Sequence, residues 1–176
     1  MKSRIIKKSA GSKVNVPNFQ KLLVHECDDL LIFDLYSCVE SLDTTKKLYG
    51  NASIELVKTG DAVGYFVATV TKAVDLTRYK NLVFSFYTAN KSNLGSIGIV
   101  LFTSTPFDYG ESYIKYVSPT PMINGWNTIK VPLVASDFII AGVKDWSTTT
   151  GIRFTVNITV DNITETVNFD KVYLNK

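Results

Sequence analysis

The most restrictive feature of this sequence is its cadence. Short runs rich in Val, Ile, Thr, Phe and Tyr are cut by Gly, Asn, Asp or Pro about every ten residues, and no stretch keeps an amphipathic helical period over a useful length. That pattern points to a β-sandwich or a barrel. Residues 63–71 alternate, with Gly64, Phe66, Ala68 and Val70 against Tyr65, Val67, Thr69 and Thr71. The next run sets Leu82, Phe84 and Phe86 on one face and Val83, Ser85 and Tyr87 on the other, as a half-buried strand does. Residues 96–103 are apolar, β-branched and too short for a typical helix, so they read as a buried strand. Roughly nine to eleven strands are expected.

The stretch from Asn124 to Pro132 anchors this reading. Asn124 and Gly125 are turn chemistry, because Gly accepts positive φ and Asn tolerates it. A strand comes next, with Trp126, Thr128 and Lys130 on one face and Asn127, Ile129 and Val131 on the other. Pro132 removes a ladder donor and ends it. The strand is expected to bury Trp126 at its start, and residues 134–138 to make one turn of helix or an irregular crossover. Asp75 is placed to cap a short turn just after it.

Charge divides the chain. The formal net charge is +3, yet Lys2, Arg4, Lys7, Lys8 and Lys13 sit in an opening segment that holds no acid, so the remainder is slightly negative. Residues 1–20 therefore read as a basic, extended N-terminal arm and residues 21–176 as the folded domain. A nearly neutral body argues against nucleic-acid binding by the body. The opening residues lack the apolar run of a signal peptide, and no apolar stretch is long enough to span a bilayer. The expectation is a protein made in the cytoplasm, with no membrane insertion. Cys27 and Cys38 are read as free thiols.

Catalysis is not expected. His25 is the only histidine, and no serine stands in a nucleophile-elbow context. The paired carboxylates Asp28 with Asp29, and Asp108 with Glu111, read as loop charges. No phosphate-cradling Gly loop, zinc spacing or EF-hand loop is present. Exposed aromatic rings are the better signal, because their faces stack on the C–H faces of sugars. They are expected in the loop holding Phe107, Tyr109, Glu111 and Tyr113, with Tyr87 and Asn90 on a neighbouring edge.

Four pieces then resemble a family. Residues 48–56 (Leu-Tyr-Gly-Asn-Ala-Ser-Ile-Glu-Leu), residues 75–82 (Asp-Leu-Thr-Arg-Tyr-Lys-Asn-Leu), residues 125–132 (Gly-Trp-Asn-Thr-Ile-Lys-Val-Pro) and the closing pair around Asp145-Trp146 and Phe169-Asp170 are similar to carbohydrate-binding modules with a galactose-binding-domain-like fold. The resemblance covers roughly residues 25–175. It implies an all-β jelly-roll sandwich of two antiparallel sheets, with Trp126 and Trp146 at core positions. It also implies one structural Ca²⁺ held by oxygen ligands, at Glu26 or Asp28, Asn51 or Ser53, and Asp170, although Asn51 and Ser53 equally suit a plain turn.

Residues 25–30 and 42–45 look most like copies in tailed-phage virion proteins. That implies a fibre, tail or capsid-decoration component, a host cell-surface glycan as ligand, and other virion proteins as partners through the arm. Such appendages are often homo-oligomers, though nothing here encodes a coiled coil. The rivals are a purely structural decoration protein and an accessory module of a polysaccharide-degrading enzyme, which predicts a catalytic domain in the same chain.

Overall fold

The computed structural model describes residues 21–28, 30, 32–36, 38–58, 65–104, 108–142, 145–160 and 164–176. The basic arm lies outside them. The strands are β1 (Lys21–His25), β2 (Ile32–Tyr36), β3 (Cys38–Asp43), β4 (Ser53–Lys58), β5 (Tyr65–Val74), β6 (Asn81–Thr88), β7 (Leu94–Phe102), β8 (Ser112–Val117), β9 (Gly125–Pro132), β10 (Ile139–Ala141), β11 (Thr149–Ile158) and β12 (Thr166–Asn175). Helical structure among the described residues is limited to short 3-10 turns.

The strands form two antiparallel sheets. The first runs β3-β4-β12-β6-β9, with β1 on the C-terminal half of β12, and the second runs β10-β8-β7-β11-β5-β2. The strand count slightly exceeds the expectation for two reasons. The interruption near Asp28 is a crossing between sheets, so one interrupted run becomes β1 and β2 in different sheets. Cys27 makes that crossing with φ +67. The crossover after Pro132 also contains the three-residue β10, beyond the expected turn at Ala135–Asp137.

The inner faces meet in an aromatic core. Leu82, Phe84 and Phe86 point inward from β6, Val167 and Phe169 from β12, and Ile152, Phe154 and Val156 from β11. The Phe84 ring lies 4.8 Å from Phe154, and Phe154 lies 5.1 Å from Phe169, so the two sheets are joined ring to ring. Each such side chain contributes about 1.5–3 kcal/mol by leaving water. Asp75 accepts from Thr77 N at 3.0 Å and caps its turn as expected. Cys27 and Cys38 are buried thiols with no disulfide between them. His25 is buried too, its Nδ1 accepting from Cys27 N at 2.9 Å.

Trp126 departs from the expectation. Ile129 and Val131 take the inner face of β9, so alternation turns Trp126 outward with Thr128 and Lys130. It is half-buried, edge-on to Tyr87 at 5.5 Å. Trp146 packs on the core as expected, against Tyr113 at 4.5 Å and Phe138 at 5.4 Å.

Residues directly opposite one another in a ladder share a face. On the outer face of the first sheet, the register therefore lines up Ser41, Glu55, Asn168, Tyr87 and Trp126. On the outer face of the second it lines up Tyr116, Gly98 and Thr155, and beside them Ile114, Val100 and Arg153.

Candidate functional site

The outer face of the second sheet carries an open groove of about 340 Å³. Val100 and Ile114 form its apolar floor, Ser96, Thr155 and Asn157 supply hydroxyl and amide groups, and Tyr109 and Tyr116 rise at its sides. Tyr116 is 60% exposed and Tyr109 45%. Gly98 sits between Tyr116 and Thr155 in the register. A Cβ there would collide with Thr155 Oγ1 and press on the Tyr116 ring, so the bare backbone keeps the groove open. Rings flanking convergent polar groups are the lining expected of a ligand groove. None of the described residues lining it is acidic.

The residues expected to bind ligand separate. Tyr109 lines the groove. Phe107 lies outside the described residues. Tyr113 points into the core, 4% exposed, and burial, then the nearby Asp145 charge, raises its hydroxyl pKa. Glu111 leads into β8, its carbonyl accepting from Thr103 N at 3.1 Å. Tyr87 belongs to the first sheet, with the Lys46 ammonium 5.7 Å from its ring. Asn90 caps a short turn, accepting from Ser92 N at 3.1 Å. Tyr116, Ser96, Thr155 and Asn157 are site residues that the sequence reading misses. Their signal is available: once Ile97, Ile99 and Leu101 face the core, Ser96, Gly98 and Val100 face out.

On the outer face of the first sheet, residues 44–52 cover the part formed by β4 and β12. Two carboxylates hold this segment down. Asp170 Oδ2 accepts from Leu48 N at 2.7 Å and Tyr49 N at 2.9 Å. Asp28 Oδ1 accepts from Asn51 N at 2.7 Å and Ala52 N at 3.0 Å, and the Ala52 and Asn51 amides hold its pKa below the usual range. Gly50 has φ +58, and a Cβ on it would collide with the Asp28 carboxylate. Asp43 anchors the start of the segment. Burial would raise its carboxyl, but hydrogen bonds from Thr45, Lys46 and Asn168 outweigh that and hold it well below the usual range. Burial, and then the Asp170 charge, push the neighbouring Cys27 thiol up to about 12.

Of the residues expected to hold Ca²⁺, Asp28 and Asp170 thus converge on one turn. Asp170 Oδ1 is buried without a hydrogen-bond partner, so a hard cation would find an acceptor there. Asn51 meets Asp28 through its backbone amide. Ser53 Oγ donates to the Lys46 carbonyl and accepts from Asn168, and Glu26 is exposed. Among the described residues no three His, Cys, Asp or Glu side chains cluster, so backbone carbonyls or water would have to complete a shell.

No family model and no curated protein sequence matches the chain. Solved structures do. A family 11 carbohydrate-binding module from Clostridium thermocellum, in complex with a β-1,3-1,4-mixed-linked tetrasaccharide, is 16% identical with a TM-score of 0.62, over 88% of this chain and 95% of that one. The family 30 module of the cellulosomal cellulase Cel9D-Cel44B of Clostridium thermocellum is 16% identical with a TM-score of 0.62, over 89% and 97%. The glycoside hydrolase domain Spr0440, Endo-D, of Streptococcus pneumoniae R6 is a weaker match: 18% identity and a TM-score of 0.52, over 80% of this chain but 20% of that one. At these identities the likeness establishes the β-sandwich fold.

Proposed function

We propose that this protein is a non-catalytic glycan-binding domain that takes a polysaccharide segment in the groove on the outer face of its second sheet. The observation that carries this reading is the pairing of two exposed tyrosine rings, Tyr109 and Tyr116, with the hydroxyl and amide groups of Ser96, Thr155 and Asn157. A tyrosine ring offers an apolar face to the C–H face of a pyranose, and the polar groups bond its hydroxyls. The solved modules of similar fold, one of them holding a tetrasaccharide, support a sugar as the ligand class.

The setting we propose is the surface of a tailed-phage virion. The basic arm would dock to other virion proteins and the sandwich would face host-envelope glycans. The uneven charge and the resemblance of residues 25–30 and 42–45 to virion proteins support this. The fold neighbours favour a second reading, an accessory module of a polysaccharide-degrading enzyme, since family 11 and family 30 modules of this fold belong to cellulosomal cellulases. We also propose a structural Ca²⁺ at Asp170 Oδ1 and Asp28. It would tie the 44–52 segment to β12 and take no part in sugar contact.

A panel of mixed-linked β-glucan tetrasaccharide, cellotetraose, xylotetraose and bacterial wall polysaccharide tests the reading by calorimetry, with and without EDTA. The expected result is saturable binding to at least one glycan, lost in Tyr116→Ala while the variant stays folded. Calcium is expected to raise the melting temperature without changing the affinity. A folded protein that binds no member of the panel contradicts glycan recognition and leaves the structural decoration role. Binding to plant-type β-glucans alone, and to no bacterial wall, favours the enzyme-accessory reading over the virion one.

A further inference from the structure

Arg153 lies on β11, on the outer face of the second sheet and opposite Val100. It is only 6% exposed. An arginine so deeply covered beside an open groove needs a reason, because a charge is buried at a cost that only close partners offset. Among the described residues, part of its cover is the candidate groove ring. The guanidinium carbon lies 5.1 Å from the Tyr109 ring centroid and 4.9 Å from that of Phe102, both within cation–π range. Phe102 and Tyr109 meet edge-on at 5.6 Å. Arg153 Nη1 donates to the Tyr109 hydroxyl at 2.8 Å.

The backbone beneath the ring is held as well. Asp108 Oδ1 accepts from Gly110 N at 2.7 Å, and Ser112 Oγ donates to the Tyr109 carbonyl at 2.7 Å. Tyr109 is therefore fixed at its ring, its hydroxyl and its main chain while nearly half of its surface stays open.

The direction of the Arg153–Tyr109 bond has a chemical consequence. A guanidinium has only donors. The Tyr109 oxygen must accept from it, and the phenolic hydrogen must point elsewhere. Among the described residues no acceptor takes that hydrogen. Accepting a charge-assisted bond also polarises the O–H and makes it a stronger donor. We propose that Arg153 is a positioning residue that makes Tyr109 an oriented hydrogen-bond donor in the groove. The bound glycan must then place an acceptor oxygen against it: a hydroxyl, a ring or glycosidic oxygen, or a carboxylate. This inference rests on the groove being the glycan site.

Two arms separate its failure from the failure of that reading. The first needs no sugar. With ring-labelled tyrosine, the Tyr109 resonances carry the ring-current shift of Phe102 in the wild type. They move toward those of a free tyrosine in Arg153→Met, and only partly in Arg153→Lys, which keeps the charge without the planar fork. Unchanged Tyr109 resonances in a folded Arg153→Met variant overturn the positioning role whatever the protein binds.

The second arm measures affinity for the mixed-linked β-glucan tetrasaccharide and cellotetraose. Tyr109→Phe keeps the ring and removes the donor, and roughly five- to tenfold weaker binding is expected. Arg153→Met should match it, and the double variant should be no weaker than either single one. Tyr109→Phe binding as tightly as the wild type overturns the donor role and leaves the groove standing. If the wild type binds none of the panel glycans, the groove reading and the donor role fall together, and the first arm still decides whether Arg153 holds the ring.

Discussion

On the outer face of the first sheet, Ser53, Asn168 and Asp170 are fully buried beneath residues 44–52, whereas on the outer face of the second sheet Tyr116 keeps most of its surface in solvent. Both faces arise from the same two-residue alternation. They differ in how the connecting segments run. The segment after β3 folds back over its own sheet, where Asp28 and Asp170 accept four of its backbone amides. Just before β8, Asp108 caps a short turn and Arg153 holds Tyr109 beside the groove. The first face is thus hidden where carboxylates recruit a covering segment, and the second stays open beside Tyr109 and Tyr116.

The largest effect is expected at the covered face. Asp170→Ala removes the buried carboxylate that accepts from the Leu48 and Tyr49 amides, and the loss of two charge-assisted bonds should cost about 3 kcal/mol. For a domain of this size that is roughly a 6–12 °C fall in melting temperature by calorimetry. Gly50→Ala comes next. It forces a non-glycine residue to positive φ and into the Asp28 carboxylate, so about 2 kcal/mol should be lost in a urea titration. A variant as stable as the wild type would show that the segment is not clamped there.

The open face should behave in the opposite way. Tyr116→Ala is expected to change stability by no more than about 0.5 kcal/mol, while glycan affinity falls about tenfold, or about 1.4 kcal/mol. Trp126→Ala, on the covered side, should leave glycan affinity unchanged. Equal losses from the two variants would erase the distinction between the faces.

Acid should act on the covered face first. The Asp28 and Asp43 carboxyls sit below their unfolded-state values. The stability they contribute is complete above the unfolded carboxylate pKa of about 4, and is lost as pH falls through the lower folded values. Hydrogen exchange at the 44–52 amides should therefore rise below about pH 4, before exchange in β7 and β11. Asp43→Asn should flatten that acid limb.

The fold is legible in the sequence because it rests on periodicity. The Leu82, Phe84 and Phe86 stripe and the Pro132 stop come directly from strand geometry, and Asp75 from turn capping. Of the groove's described lining, only Tyr109 is legible in the sequence. The loop that suggests three exposed rings sends Tyr113 inward, because β8 begins at Ser112 and alternation then gives Tyr113 to the core and Tyr116 to the groove. A short run of strand register decides which tyrosine can meet a ligand. The resemblance and the size of the ring assign Trp126 to the core, but its neighbours Ile129 and Val131 take the inner face and turn it outward. The Arg153–Tyr109 contact is not legible, since it joins residues 44 positions apart whose meeting depends on the order of strands in the sheet.

The most direct test of the central claim is an NMR titration of the ¹⁵N-labelled protein with the mixed-linked β-glucan tetrasaccharide and a bacterial wall polysaccharide. The amide shifts should cluster at Ser96, Gly98, Tyr109, Tyr116, Thr155 and Asn157, with residues 44–52 and β12 unmoved. Shifts confined to the covered face around Tyr87, Trp126 and residues 44–52, or no saturable shift with either ligand, would contradict it.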